Sequence, residues 1–182
     1  MEKNQQSLKN SELTQDYSKK FISVYRINLV KDESVKFEQK YLNSPLDAKK
    51  ILQHLIKSHG NSDREQFCVL LLNCKNKMLG LNIVSTGSLS SASVHPREVL
   101  KPAILANASA MVLCHNHPSG NTEPSAEDRA ITKRIILASS FLGVTIHDHI
   151  IINMENEDYF SFSENGLITE AYNMVNSTEA YM

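Results

Sequence analysis

Residues 110–128, AMVLCHNHPSGNTEPSAED, decide how this chain is read. AMVLC is a short apolar run of the kind that forms a buried strand, and it leads straight into His115. Successive strand side chains alternate between faces, so His115 and His117 share one face. Cys114 then faces the core from the other side, and Asn116 points away from the histidines and holds the loop. Pro118 offers no N–H to a ladder and ends the strand. A loop rich in Pro, Gly, Asn and Ser follows. A helix is predicted from 126 to about 142, with Ile131, Ile135, Ala138 and Leu142 on one face and Gly143 as its stop. Asp128 sits in its first turn. A strand end, a loop and a helix N-terminus can bring two imidazoles and a carboxylate together. That is a ligand set for catalytic zinc, with a fourth position left for water. Ser125 and Asp128 read equally well as a capping box, S-x-x-D, which needs no metal. Strand packing, by contrast, gives no reason to place two histidines beside such a loop.

Working outward, 144–153 is predicted as a strand, 159–162 as a short final strand, and 170–182 as a short helix or frayed tail. Upstream, QFCVLLLN at 66–73 reads as a buried strand, CKNK as a hairpin turn and MLGLNIVSTG as the partner strand. Pro96 opens a helix running through Arg97, Leu100, Ile104 and Ala108, with Pro102 as an internal irregularity and His95 placed to cap it. Ser44 and Pro45 open an earlier helix whose apolar face is Leu46, Ile51, Leu52, Leu55 and Ile56, with Gly60 as its C-cap. FISVYRINLV at 21–30 carries strand-forming residues. Residues 1–20 are polar and read as a flexible arm. The order β-α-β-β-α-β-α-β-β implies an α/β domain whose mixed sheet is flanked by helices.

The chain has 182 residues, 41% hydrophobic and 21% charged, with a net charge of −1. That length supports a core without disulfide staples. Three cysteines, Cys68, Cys74 and Cys114, form no CxxC pair, which excludes a cysteine-rich zinc ribbon and points to a reducing compartment. No apolar run approaches the roughly 20 residues of a membrane span, and residues 1–20 contain no secretory h-region. A cytoplasmic protein is the expectation. Nineteen basic against twenty acidic residues give no electrostatic footprint for nucleic acid.

The string His115-Asn116-His117-Pro118, with Ser125 and Asp128 downstream, resembles the H-x-H-P…S-x-x-D motif of the JAMM (MPN-plus) metalloprotease superfamily. HNHPSG…PSAED, SASVHPREVL upstream and DHIII downstream are similar to its RadC-like branch, over about 61–166. The resemblance implies a JAB/MPN domain, cytidine-deaminase-like in layout, at 61–168. It is preceded by a strand and helix at 21–60 and followed by a tail at 169–182. It implies zinc held by His115, His117 and Asp128, Ser125 stabilising an oxyanion, and Glu65 activating zinc-bound water for attack on an amide carbonyl. Glu98 is a lower-ranked rival for that base. Asp148 and His149, in the second H-x-H, take supporting roles behind the ligands. His147 and His149 are expected on one strand face, with Asp148 on the other. Ser119 and Gly120 form a tight turn near the metal, where Ser119 could contact substrate. His54 and His59 read as surface residues.

Three functions compete. The first is a zinc peptidase or isopeptidase acting on a peptide or protein substrate, with no HExxH helix. The second is a DNA-repair factor, the traditional association of RadC-like proteins. The near-neutral charge, the sparse cations Lys133 and Arg134, and the lack of a Gly-rich helical hairpin before Glu65 speak against it. The third is a non-catalytic MPN scaffold, against which stands the presence of all five site positions. A zinc deaminase would need H-x-E and P-C-x-x-C, and neither is here. Sequence leaves the oligomeric state and the scissile bond open.

Overall fold

The structure is a computed structural model that describes residues 26, 28–32, 34, 36, 37, 40–58, 64–87 and 94–179. Its elements in chain order are α1 (Pro45–Ser58), β1 (Gln66–Leu72), β2 (Met78–Thr86), α2 (Pro96–Leu105), β3 (Ala110–Asn116), α3 (Ala126–Ser140), β4 (Thr145–Ile152), β5 (Tyr159–Ser161) and α4 (Leu167–Glu179). The five strands lie in the order β2-β1-β3-β4-β5. β3 and β4 pair in parallel, joined through α3, and the other neighbours pair antiparallel. This is the expected α/β architecture with a mixed sheet.

The unbroken apolar runs of β1 and β3 have a simple cause: both strands are covered on both faces. Phe67, Val69 and Leu71 pack with Met111 and Leu113 against Val99 and Ala103 of α2, Ile135 of α3 and Val175 of α4. Cys68, Leu70 and Leu72 pack with Val112 and Cys114 against Ile51, Leu52 and Leu55 of α1. Cys114 thus lies opposite the histidine face, as strand parity requires. β2, at the edge, is only half-buried.

Helix ends follow local chemistry. Ser44 Oγ accepts from Asp47 N–H at 3.1 Å at the start of α1. His95 caps α2 by accepting from Arg97 N–H. Pro102 lies within α2, where it forfeits one ladder bond. α2 stops at Leu105, short of the expected Ala108, because Asn107 takes a positive φ of 52° and turns the chain into β3. Gly143, at φ 66°, ends the turn after α3. α4 begins earlier than the expected tail, and its Leu167, Ile168, Ala171 and Val175 pack on the sheet.

One expectation fails among the described residues. Arg26 and 28–30 are not strand, so the predicted strand over 21–30 is absent at those positions; strand-forming residues need a sheet edge to pair with. The rest of that segment, the arm at 1–20, His59, Gly60 and 88–93 lie outside the described residues.

α1 also reaches the loop after β4. The buried Lys49 pairs with Glu157, and Gln53 Nε2 donates to the carbonyls of Asn153 (2.9 Å) and Asn156 (3.2 Å). These bonds hold Asn153 over the loop that follows β3. No helix among the described residues is long and apolar enough to cross a membrane.

Candidate metal centre

The last residues of β3 and the loop beyond it place two imidazoles. His115 is fully buried on the α3 side of the sheet, in phase with Met111 and Leu113. His117 lies just past the strand, with its Nδ1 bonded to the Asn121 carbonyl at 2.6 Å. The turn between them closes through Gly120 N–H to His117 O at 3.0 Å. Gly120 takes φ +77°, and a Cβ there would meet Asn153 Nδ2 at 3.2 Å, so glycine suits both the backbone and the space. Asn153 Nδ2 donates to Gly120 O at 2.8 Å and fastens the loop.

The two Nε2 atoms are 3.0 Å apart. Asp128 Oδ1 is 3.2 Å from His115 Nε2, and its Oδ2 is 3.6 Å from His117 Nε2. Glu65, just before β1, lies 3.9 Å from His117 Nε2. The ligand atoms of Glu65, His115 and His117 all fall within 4.8 Å of one another, a group that could hold a metal ion. Either carboxylate could complete the histidine pair. Asp128 approaches both rings within 3.6 Å, and Glu65 approaches His117 at 3.9 Å, where both side chains are partly exposed. The chemistry of the donors fits zinc. A carbonyl can only accept, so His117 donates from Nδ1 and, when neutral, aims a bare Nε2 at its neighbours. A bare nitrogen held 3.0 Å from a second imidazole nitrogen and 3.6 Å from a carboxylate is arranged for a cation.

Asp128 does two jobs at once. Ser125 Oγ accepts from Asp128 N–H (3.1 Å) and donates to Asp128 Oδ2 (2.6 Å), and Ser125 N–H donates to the same Oδ2 (2.8 Å). The capping box is therefore present. It also orients the carboxylate, holding Oδ2 and leaving Oδ1 toward His115. The cap, one of two open alternatives in the sequence, does not take Asp128 away from the two histidines. Burial works against the Asp128 charge, but the His115 and His117 rings beside it outweigh burial and hold the carboxyl well below the usual carboxylate range. The neighbouring Asp128 carboxylate raises His117 above the ordinary imidazole value, against its partial burial. The Ser125 hydroxyl hydrogen is committed to Asp128 in this resting arrangement.

Asn116, between the two histidines, was expected to hold the following loop. It instead grips the start of β1: its Oδ1 accepts from Gln66 N–H (2.9 Å) and its Nδ2 donates to Arg64 O (3.0 Å). These bonds bracket Glu65 on both sides of its own backbone. Glu98, the rival base, lies on the exposed face of α2 and pairs with Lys101 at 2.5 Å. Ser119 Oγ accepts from Asn121 N–H at 3.4 Å, inside the expected tight turn.

The second H-x-H is divided. His149 is fully buried, with Nε2 2.8 Å from His115 Nδ1 and Nδ1 2.6 Å from Thr132 Oγ1. His147 is exposed and bonds Asn76 in the β1–β2 turn at 3.0 Å. The expected sharing of a face fails because the register shifts here: Ile146 and Asp148 pair with the consecutive residues Met111 and Val112, leaving His147 as an extra residue. The Asp148 carboxylate accepts from His149 N–H (2.7 Å), Ser161 Oγ (2.6 Å) and Ser163 N–H (2.8 Å). It braces the β4–β5 corner behind His149. Burial pushes its carboxyl up to about 6.

A family model for the RadC-like JAB domain matches residues 42–167. The chain belongs to this family. Its mixed sheet flanked by helices is thus a JAB/MPN-type fold, and the matched span takes in α1, ahead of the boundary expected at 61. The RadC-like chain is 47% identical over 127 residues to a UPF0758 protein of Rubrobacter xylanophilus, covering 70% of this chain and 53% of that protein. A UPF0758 protein of Clostridium acetobutylicum is 42% identical over 132 residues, 72% of this chain and 56% of its own. One from Clostridioides difficile is 50% identical over 105 residues, 58% and 44% respectively. The chain spans about half the length of the curated relatives it matches.

Thr132 and Asn153 escaped the sequence reading. Thr132 left a trace: it lies four residues after Asp128, on the same helix face, and it interrupts a buried apolar stripe with a hydroxyl. Asn153 left none, because its partner is the backbone of a distant loop.

Proposed function

We propose that this RadC-like domain is a zinc-dependent hydrolase of peptide, isopeptide or similar amide bonds. The observation that carries the reading is the meeting of His115 Nε2, His117 Nε2 and the Asp128 carboxylate at 3.0–3.6 Å, with Glu65 3.9 Å from His117. In this reading His115, His117 and Asp128 hold the metal. Zinc, when bound, supplies Lewis acidity that polarises a carbonyl and brings the pKa of water to about 7. Glu65 takes a proton from the attacking water and delivers it to the leaving amine. Asn116 holds the backbone around Glu65, which orients that carboxylate. Ser125 turns its hydroxyl from Asp128 Oδ2 toward the developing oxyanion. His117 and Glu65, each with 17% of the side chain exposed, form the open side where substrate arrives, while His115 and Asp128 close the floor.

DNA association is the weaker reading. Lys133, one of the sparse cations of α3, is already paired with Glu170 at 3.2 Å.

The test is zinc quantification on the purified full chain, followed by assays on a panel of peptides and isopeptides. One zinc per chain is expected, lost in His117→Ala. Glu65→Gln should keep its zinc and lose hydrolysis by about 10²- to 10⁴-fold. Failure of the intact protein to take up zinc would end this reading. Salt-sensitive duplex binding without hydrolysis would favour the DNA alternative.

A further inference from the structure

We propose that Thr132, acting through His149, fixes which ring nitrogen of His115 is bare and so prepares His115 Nε2 as a metal ligand. The inference rests on the metal-site reading above and assigns a positioning role to a residue outside the ligand set.

Counting hydrogens gives the direction of the chain. The Thr132 hydroxyl has one hydrogen and two neighbours at 2.6 Å, the Asp128 carbonyl oxygen and His149 Nδ1. A carbonyl oxygen cannot donate, so the hydroxyl hydrogen goes to Asp128 O. The hydroxyl oxygen must then accept from His149, which places a hydrogen on His149 Nδ1. His149 is completely buried between Phe67 and Phe162 with no carboxylate among its hydrogen-bond partners, surroundings that favour the uncharged ring. A neutral ring carrying its hydrogen on Nδ1 has a bare Nε2. That bare nitrogen lies 2.8 Å from His115 Nδ1, so His115 donates there. The remaining nitrogen of neutral His115, Nε2, then has no hydrogen. It faces His117 Nε2 at 3.0 Å and Asp128 Oδ1 at 3.2 Å.

Every donor in this chain points away from the metal site and toward α3. The chain ends on the backbone carbonyl of Asp128, the residue whose carboxylate completes the site. Aromatic packing keeps the rings from turning over: His149 stacks on Phe162 with centroids 4.7 Å apart and meets the edge of Phe67 at 5.5 Å, while His115 stacks on Phe67 at 6.1 Å. Partners behind a ligating histidine commonly set its tautomer and basicity, and removing them costs about 10- to 100-fold in metal affinity.

The experiment uses the full chain with ¹⁵N-labelled histidine. Ring-nitrogen spectra are recorded on metal-free protein at mildly alkaline pH, and zinc affinity is measured by competition with a chelator. Wild type should show hydrogen on His149 Nδ1 and His115 Nδ1, with both Nε2 atoms bare. Thr132→Ser, which keeps the hydroxyl, should reproduce that pattern and the wild-type affinity. Thr132→Val should shift the hydrogen off His149 Nδ1 and weaken zinc by about 10- to 100-fold. A wild-type spectrum with hydrogen on His115 Nε2 would overturn the proposal. So would a folded Thr132→Val that binds zinc as tightly as wild type. If Thr132→Val does not fold, the wild-type spectrum decides alone. If wild type takes up no zinc, the metal-site reading fails, while the metal-free spectrum still tests the relay.

Discussion

The chain spells H-x-H twice on adjacent parallel strands, at 115–117 at the end of β3 and at 147–149 within β4. The first pair converges, with Nε2 atoms 3.0 Å apart. The second pair separates: His149 goes under the site to His115, and His147 goes out to Asn76. The spelling is the same, and the difference is a single register shift. With regular alternation, His147, His149 and Ile151 would share a face and Ile146 would lie on the other. The extra residue lets Ile146, His149 and Ile151 pack on the α3 side, at the cost of His147's place there. A two-residue spacing therefore brings imidazoles together only where the ladder is regular or has already ended.

The comparison can be broken most directly at its two inner and outer histidines. His149→Ala should weaken zinc by about 10- to 100-fold in a chelator competition, because the ring behind His115 is gone. His147→Ala, at the other extreme, should leave zinc affinity unchanged and move stability by no more than about 0.5 kcal/mol. Equal effects of the two would mean that the shift in register does not separate them.

Asn116 supplies the intermediate case. It is fully buried, and Asn116→Ala leaves Gln66 N–H and Arg64 C=O without its side chain. A loss of about 1–3 kcal/mol in urea unfolding is expected, with zinc still bound. Loss of zinc along with stability would show that the first H-x-H depends on its middle residue as well.

Asp148, the middle residue of the second motif, gives a pH signature in place of a binding one. Burial pushes its carboxyl from the ordinary 3.8 to about 6, so the folded state holds that proton more tightly than the unfolded state. Stability should therefore fall as pH rises between those values and level off above them. Asp148→Asn should remove that part of the slope in a pH series of thermal unfolding. An unchanged slope would show that Asp148 titrates alike in both states.

Much of this was legible before any fold was known. AMVLC predicted a strand buried on both faces, Ser125 and Asp128 predicted a cap, and Gly143 predicted a stop, because hydrophobic alternation, capping and turn chemistry act over a few residues. The histidine pair and Asp128 were legible as a group for the same reason: a strand end, a loop and a first helical turn leave little freedom in where their side chains meet. The extent of α4 was readable from the apolar spacing of Leu167, Ile168, Ala171 and Val175, but its place near the chain's end concealed it. The strand expected over 21–30 shows the reverse error at its described positions, Arg26 and 28–30, since β-propensity describes a surface that suits a sheet and does not supply the neighbouring strand.

By itself, then, the sequence determined the alternating α/β order, the faces of β1 and β3, and the cluster of His115, His117, Ser125 and Asp128. Only the tertiary structure decided that Asn116 grips the backbone around Glu65, that Asn153 fastens Gly120, and that His149 reaches His115 while His147 does not. It alone linked Thr132 to His115 through a ring on another strand. The physical reason is distance along the chain. Periodicity and caps are settled among neighbours in sequence, whereas hydrogen-bond direction and strand register depend on which remote segments the packed sheet brings side by side.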